Sequence, residues 1–337
     1  MLTQLFPQLV MIETSSACTG GAAGQTRRPP GPSAPPPIGL WQPTELIGEG
    51  TLTRVFRAQP AGRSGLPACY AVKTLRAEWE DDPRAIALIR REAQVGRAVS
   101  HPHVVPVLAY RAHERPYFVT MPLLAGATLA AQTASGRRLA VPIALWIARQ
   151  VAEGLDGLYH TGWMHGDVKP SNIFLAPDGH VTLIDLGYAC AIDQRATVGD
   201  RPVVGTINYM APEVLTSTLA TDIRSDIYSL GITLYEMLGG AAPFHASDPR
   251  RVAVLQRQAV APRLDVADPQ MPSAVADLVQ GMLAKEPLRR PQTPRELADL
   301  LTRLEIKFFA QRADRQSQVG PLTGWDRPAG LSLASGR

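Results

Sequence analysis

The sequence HGDVKPSN, residues 165 to 172, is the stretch from which the fold of this chain is inferred. It places an acid, Asp167, a cation, Lys169, and a side-chain amide, Asn172, within one short loop. Thirteen residues after Asn172, the apolar run HVTLID ends in a second acid, Asp185. Carboxylate and amide oxygens are hard ligands that suit Mg²⁺ when it also binds phosphates. The pattern therefore predicts a metal–phosphate site in which Asp167 is free to orient a hydroxyl group.

The segment before this loop has the pattern of a small β-rich unit with one main helix. Residues 44–75 contain three short strand-like runs with glycines between the first two. Asp82 followed by Pro83 predicts the start of a helix, because an acidic N-cap and a proline at the first helical position are both favourable. Strand-like runs return after this helix.

Four residues of this unit have both a structural and a functional interpretation. Gly48 and Gly50 in IGEGTLTRV form a hairpin turn, but a backbone without Cβ atoms can also lie close to a phosphate. Lys73 lies inside the apolar strand YAVKTL, where a lysine commonly carries its charge out to solvent. Glu92 lies in the middle of the helix, where the plain interpretation is an exposed charge. Pairing of Lys73 with Glu92 would change both of the last two interpretations.

The segment after the loop has helical periodicity. Residues 142–162 place five apolar residues on one helical face, with Gly162 at the end. Residues 224–240 are apolar on most faces and predict a buried helix. Residues 293–304 begin with a capping box that has a proline at its first helical position. The predicted fold class is therefore α+β, a β-rich part followed by a larger helical part.

Composition excludes several classes of protein. With 337 residues, of which 45% are hydrophobic, the chain can bury a sizeable core. Its 34 basic and 30 acidic residues give a net charge of +4 without a long basic block, so no nucleic-acid partner is expected. No apolar run is long enough for a membrane anchor. Three scattered cysteines argue against disulfides or zinc and favour the reducing cytoplasm.

The ends of the chain differ from its middle. Residues 18–38 are rich in Gly, Pro and Ser and predict a disordered or extended spacer, with a polyproline ligand as the alternative. The predicted organisation is a disordered leader over 1–42, a small lobe over 43–124, a large lobe over 125–305 and a loosely ordered tail over 306–337.

Taken together, these motifs resemble the catalytic domain of eukaryotic-like serine/threonine protein kinases of the kind common in bacteria. Each motif alone is modest, but their order along the chain is highly specific. The resemblance implies a bilobal protein kinase fold, with a small β-rich N-lobe that has one main helix and a larger, mainly helical C-lobe. The matching motifs are, in chain order, GEGTLTRV, AVK, the helix glutamate, HGDVKPSN, DLG, GTINYMAPE, SDIYSLG and RRP.

The resemblance also implies roles for individual residues, with ATP and Mg²⁺ as cofactors. Lys73 would hold the α- and β-phosphates and pair with Glu92. Asp167 would orient the substrate hydroxyl, and Lys169 would neutralise the γ-phosphate, while Asn172 and Asp185 would hold Mg²⁺. Together with Lys73, the residues implied around the nucleotide are Ile47, Gly48, Gly50, Val55, Ala71, Met121, Leu124 and Phe174.

Further residues of the same motifs have implied structural roles. Glu213 would pair with Arg290, Asp226 would brace the catalytic loop, and Thr206 would help to shape the substrate hydroxyl site. Implied partners are proteins with Ser or Thr side chains. Thr197 is a candidate autophosphorylation site.

The sequence departs from the family pattern in two informative places. Gly166 replaces the usual Arg before the catalytic Asp, so an Arg–phosphate clamp to the activation loop cannot form there. We therefore expect activity that does not depend on phosphorylation at this contact. Gly96 stands one turn after Glu92, where the family prefers a bulky apolar residue. Thin packing there, with a mobile helix, is the expected consequence.

Two alternatives to a protein kinase remain open at this point. A pseudokinase scaffold would bind nucleotide without catalysis, although the retained Lys73, Asp167, Asn172 and Asp185 argue against it. A small-molecule phosphotransferase of the aminoglycoside-kinase type is suggested by HGD, which is typical of that group. Lys169 and GTINYMAPE argue against this second alternative.

Overall fold

The N-terminal part of the protein is an antiparallel sheet with one long helix. The structure, a computed structural model, describes residues 36–62, 65–192, 207–216 and 222–318. The sheet has five strands in the order β1-β2-β3-β5-β4, so that β3 lies at its centre. The strands are β1 Trp41–Glu49, β2 Thr53–Pro60, β3 Tyr70–Leu75, β4 Ala109–Arg111 and β5 Phe118–Pro122.

Helix α1, Pro83–Ala98, begins where the sequence predicts. A carboxylate oxygen of Asp82 accepts hydrogen bonds from the backbone N–H groups of Arg84 (2.7 Å) and Ala85 (3.3 Å), which would otherwise lack partners. The buried face of the helix includes Ile89 and, next to these apolar residues, Glu92. The one long helix of this part thus presents a carboxylate towards the protein interior.

The C-terminal part is mainly helical, with short strands that hold the loops between its first helices. Strands β6, β8 and β9 form one antiparallel sheet, and β7 pairs with β10 in another. The short strands are β6 Ala127–Thr128, β7 Trp163–Met164, β8 Ile173–Leu175, β9 Val181–Leu183 and β10 Cys190–Ala191. The helices are α2 Leu129–Gln132, α3 Val141–His160, α4 Pro212–Thr216, α5 Ile223–Gly239, α6 Pro249–Gln258, α7 Leu264–Ala267, α8 Ser273–Met282 and α9 Pro294–Gln318.

The core of the C-terminal part lies around α5 and α3, as their apolar patterns predict. Helix α5 is buried on most of its faces and packs against α3 and α8. The predicted apolar face of α3 is fully buried at Ile147, Val151, Leu155 and Leu158. Burying such a side chain contributes about 1.5–3 kcal/mol. Both helices therefore form a rigid base beneath the HGDVKPSN loop.

The ends of the described chain extend further than the predicted lobes. Ile38 pairs with Trp41 through two backbone hydrogen bonds of 2.8 and 3.0 Å, so ordered structure begins before residue 43. At the other end, α9 continues to Gln318 past the predicted boundary at 305. Elongating an existing helix adds one hydrogen bond per residue, so a helix can continue beyond the last residue of its apolar pattern. None of the helices in the described ranges is both long and apolar enough to cross a membrane.

Candidate active site

Three charged side chains meet where the sheet, α1 and the segment after β9 converge. Lys73, at the centre of β3, places its Nζ 2.8 Å from Glu92 Oε2 and 2.7 Å from Asp185 Oδ1. Glu92 is buried and comes from α1, so it is not the exposed helix charge of the plain interpretation. Lys73 likewise keeps its ammonium inside the protein. The structure thus brings together three candidate residues from separate parts of the sequence.

The pKa values of this cluster follow from burial and from mutual attraction. Burial lowers the pKa of Lys73, but the charges of Asp185 and Glu92 and their hydrogen bonds outweigh burial and hold it above its ordinary value. Burial raises the pKa of Asp185, yet the ammonium of Lys73 keeps it below its ordinary value. Burial raises the pKa of Glu92, and Lys73 only partly offsets this. Lys73 and Asp185 are therefore charged at neutral pH.

The HGDVKPSN loop is held from below by Asp226 of α5. Its two carboxylate oxygens accept hydrogen bonds from the backbone N–H groups of His165 (2.7 Å) and Gly166 (2.8 Å). His165 Nδ1 accepts from the N–H of Asp167 at 3.2 Å, and its Nε2 lies 3.1 Å from the carbonyl oxygen of Ile184. These contacts assign the proton to Nε2 and give His165 a structural role.

The backbone conformation at Gly166 explains why a glycine is well suited there. Its φ of 76° lies in the left-handed region, which glycine adopts without steric cost. An arginine in that conformation would be strained, at a cost of about 1–2 kcal/mol. The departure from the family pattern therefore relaxes the backbone next to Asp167.

Asp167 is buried and keeps one carboxylate oxygen without a partner. Its Oδ2 lies 2.7 Å from Lys169 Nζ and accepts a hydrogen bond from Asn172 Nδ2 at 2.9 Å. Its Oδ1 has no hydrogen-bond partner within the described parts of the chain. A buried acceptor left unmatched is costly unless a ligand supplies the donor. The geometry therefore provides an acceptor for a hydroxyl group beside the Lys169 cation.

Asn172 and Asp185 fit the requirements of a magnesium site. Asn172 Nδ2 is used on Asp167, which leaves its amide oxygen as a possible ligand. The N–H of Ile184 donates to the carbonyl of Asn172 at 3.0 Å, so the two segments are joined. Asp185 has φ 65°, the one positive φ outside glycine within the described ranges. Such strain costs about 1–3 kcal/mol and often accompanies function.

The residues implied around the nucleotide lie in or next to strands β1, β2, β3, β5 and β8. Gly48 pairs with Val55 across the β1–β2 hairpin, and Ala71 pairs with Met121 across β3 and β5. The remaining four are Ile47 in β1, Gly50 directly after β1, Leu124 two residues after the end of β5 and Phe174 in β8. Ile47 is 43% exposed, which leaves its side chain available to a ligand.

Gly96 corrects one expectation from the sequence. It is buried, and a Cβ atom built on it would lie 2.5 Å from Val107 Cγ2. The carbonyl of Gly96 also accepts a hydrogen bond from the N–H of Val107 at 2.9 Å. The expectation of thin packing is therefore wrong, because Val107 from the neighbouring loop fills the space that a larger residue would occupy.

The predicted pair of Glu213 and Arg290 is present and buried. Arg290 Nη1 and Nη2 lie 2.6 and 2.8 Å from the two oxygens of Glu213, a bidentate geometry. Ser225 Oγ donates to Glu213 Oε1 at 2.7 Å. Two other predicted residues, Thr197 and Thr206, lie outside the described residues.

A groove beside Lys169 was not found by sequence reasoning. It has a volume of about 480 Å³, and its wall includes Ser171, Tyr209 and Glu236. Tyr209 Oη donates to Glu236 Oε2 at 2.7 Å. The isolated acid in the otherwise apolar second half of α5 is the signal that could have revealed it. The groove adjoins the HGDVKPSN loop, since Lys169, Pro170 and Ser171 contribute to its wall.

Comparison with known proteins agrees with this geometry. The family model described as protein kinase domain matches residues 41–300. A probable serine/threonine-protein kinase of Clostridium perfringens is 31% identical over 263 residues, covering 77% of this chain and 38% of the relative. PrkC of Bacillus subtilis is 30% identical, covering 82% of this chain and 43% of the relative.

Serine/threonine-protein kinase PknE of Mycobacterium tuberculosis is 32% identical over 261 residues, covering 77% of this chain and 45% of that protein. The chain thus spans less than half the length of these relatives. The family match covers both the sheet with Lys73 and the helical part with Asp167. By this match and by its geometry, the chain belongs to the protein kinase domain family.

Proposed function

We propose that this protein is an ATP- and Mg²⁺-dependent serine/threonine protein kinase, which transfers the γ-phosphate of ATP to hydroxyl groups of protein substrates. The single observation that carries the proposal is the environment of Asp167. One of its oxygens is held by Lys169 and Asn172, and the other is a buried acceptor without a partner in the described chain. That arrangement suits a hydroxyl group that approaches a phosphate.

Each candidate residue then has a defined task in the transfer. Lys73, held by Glu92, neutralises the α- and β-phosphates, and Lys169 neutralises the γ-phosphate. Asp167 Oδ1 orients the substrate hydroxyl and receives its proton as the new oxygen–phosphorus bond forms and the bond to ADP breaks. Asn172 and Asp185 would hold Mg²⁺, which would supply positive charge to the phosphates.

Substrate binding is proposed in the groove beside Lys169. The groove adjoins the loop that carries Asp167, so an extended peptide in it would bring a side-chain hydroxyl to the acceptor oxygen. Glu236 contributes an acidic wall and supports a preference for substrates with basic residues near the phosphorylated hydroxyl. Autophosphorylation at Thr197 is proposed as well. Cys69 and Cys190 form no disulfide within the described residues, which supports a reducing location such as the cytoplasm.

The main observation in favour of a small-molecule phosphotransferase has another explanation. HGD was the feature that suggested it, and the left-handed backbone at Gly166 supplies a local reason for the glycine. The pseudokinase alternative is addressed by experiment, since it predicts nucleotide binding without transfer.

The test is incubation of the purified chain with γ-labelled ATP, Mg²⁺ and a general protein acceptor. The wild type should transfer label to Ser and Thr, and Asp167→Asn should lose at least a hundredfold in rate while keeping its nucleotide-induced thermal shift. A thermal shift with no transfer by the wild type would favour the pseudokinase. Transfer to aminoglycosides but not to proteins would overturn the proposal in favour of the small-molecule enzyme.

A further inference from the structure

Besides Glu92, two adjacent arginines of helix α1 connect the helix to other parts of the protein. On one side, Arg90 Nε donates a hydrogen bond to the carbonyl of Ala112 at 2.8 Å. On the other side, Arg91 Nη1 donates to the carbonyl of Ala189 at 2.7 Å. Adjacent arginines thus connect one helix to two different parts of the protein, and only the second contact leads towards the candidate active site.

Ala189 is a well-fixed acceptor. It follows the turn at 186–188 that begins at Asp185, and its own N–H donates to the carbonyl of Leu186 at 3.1 Å. The next residue, Cys190, pairs with Met164 just before the HGDVKPSN loop. A hydrogen bond to Ala189 therefore ties α1 to the frame that carries both Asp185 and the loop of Asp167.

The acceptor of Arg91 is neutral, and no ion pair of Arg91 exists among the described residues. In the sequence, Gly166 stands at the position before Asp167 where the resemblance implies an arginine that pairs with a phosphorylated activation loop. Arg91 also directly precedes Glu92, so any displacement of its backbone moves the carboxylate that holds Lys73. The chain therefore has the parts needed to dock α1 without a phosphate.

We infer that Arg91 is a positioning residue that holds α1 and Glu92 in the docked position through the backbone carbonyl of Ala189, in place of an activation-segment phosphate. The inference rests on the proposed kinase function for its rate measurements, but not for its structural ones. A hydrogen bond from a charged donor commonly shifts an equilibrium about tenfold to a hundredfold. Losing it should lower the equilibrium constant for docking of the helix by a similar factor.

The experiment compares Arg91→Ala and Arg91→Lys with Arg90→Ala after phosphatase treatment of every sample. Arg90→Ala is the matched control, because it also removes one guanidinium bond from α1 to a backbone carbonyl. Arg91→Ala should lower kcat/KM for MgATP about tenfold or more. Arg91→Lys should recover part of this loss, and Arg90→Ala should stay within about twofold. Hydrogen exchange of residues 83–98 should rise more in Arg91→Ala than in Arg90→Ala.

Three results would overturn the inference. One is a wild-type rate in Arg91→Ala, and another is an equal loss in both alanine variants, which would indicate general helix stability. The third is loss of wild-type activity on phosphatase treatment, which would make a phosphate the true partner. A wild type that transfers no phosphate refutes the proposed function instead, and the exchange comparison then decides the inference alone.

Discussion

Two buried ion pairs in the described parts of the chain, Arg290 with Glu213 and Lys73 with Glu92, use similar charges but differ in how completely their hydrogen bonds are made. All three guanidinium nitrogens of Arg290 have acceptors: the two oxygens of Glu213 and the carbonyls of Ala284, Arg224 and Lys285. In the Lys73–Glu92 pair, by contrast, Glu92 Oε1 is buried without a partner in the described chain. Lys73 is also shared with Asp185, whose side chain is 34% exposed.

This difference separates a structural pair from a functional one. A saturated, bidentate pair has no remaining capacity to bind a ligand and can only hold its two segments together. An unsaturated cluster keeps charge and acceptor capacity that a nucleotide and its metal can use, at a cost in stability of the free protein. Charge and burial alone would not have distinguished the two.

The largest expected effect is on catalysis, from a substitution in the cluster of Lys73, Glu92 and Asp185. Asp185→Asn should lower the rate of phosphoryl transfer about a thousandfold or more, because it removes a charge from the proposed site of the phosphates and the metal. Its free energy of unfolding should change by less than about 1 kcal/mol, since Lys73 keeps Glu92 as its partner. Labelled-ATP kinetics and urea unfolding measure the two quantities. A large loss of stability would show that the cluster is structural after all.

At the Glu213–Arg290 pair, we expect a large loss of stability. Glu213→Gln leaves the buried guanidinium of Arg290 without its counter-charge and should lower the free energy of unfolding by about 3–5 kcal/mol. Denaturant titration of this variant next to Asp185→Asn gives the comparison directly. An unchanged unfolding midpoint would contradict the structural role assigned to the pair.

A smaller effect tests the packing of α1 on the side away from its charges. Gly96→Ala should destabilise by about 1–3 kcal/mol, because the new Cβ meets Val107. Helix propensity alone predicts the opposite sign, a gain of about 1 kcal/mol. The matched control is Gly281→Ala in α8, where no atom from the other described segments lies within 4 Å of the new Cβ and a gain is expected. Stabilisation by both substitutions would refute the close contact.

The smallest expected effect is the pH dependence of stability that comes from Lys285, which lies next to the Glu213–Arg290 pair. Burial, and then the charge of Arg290, lower the pKa of Lys285 from 10.5 to about 8. Between these values the unfolded state binds more protons, so the contribution of Lys285 to stability rises with pH. For one titrating group, the unfolding free energy can rise by at most about 1.4 kcal/mol per pH unit. Solvent screening makes the rise smaller for Lys285, which is partly exposed.

The check is the difference in unfolding free energy between the wild type and Lys285→Met from pH 7.5 to 10. This difference should move in favour of the wild type as the pH rises through 8 and beyond. A flat difference would mean that the amine titrates at its ordinary pKa and that the field of Arg290 does not reach it.

Much of the candidate site could be predicted because its residues lie in short motifs. Asp167, Lys169 and Asn172 fall within one loop, and Asp185 follows an apolar strand, so local spacing was sufficient to expect them together. The cap at Asp82 and the apolar face of α3 are also local patterns, since they depend only on neighbouring turns. The helical extension to Gln318 was missed because a weakly periodic stretch can still be helical.

By itself, then, the sequence determined the chemistry of the site and the order of its elements, since residue types and short spacings set both. Only the tertiary structure decided which partners those residues acquire across long separations. The bond from Arg91 to Ala189 joins residues 98 positions apart, and Val107 fills the space beside Gly96 from another loop. Such contacts depend on the packing of distant segments, which no local pattern encodes.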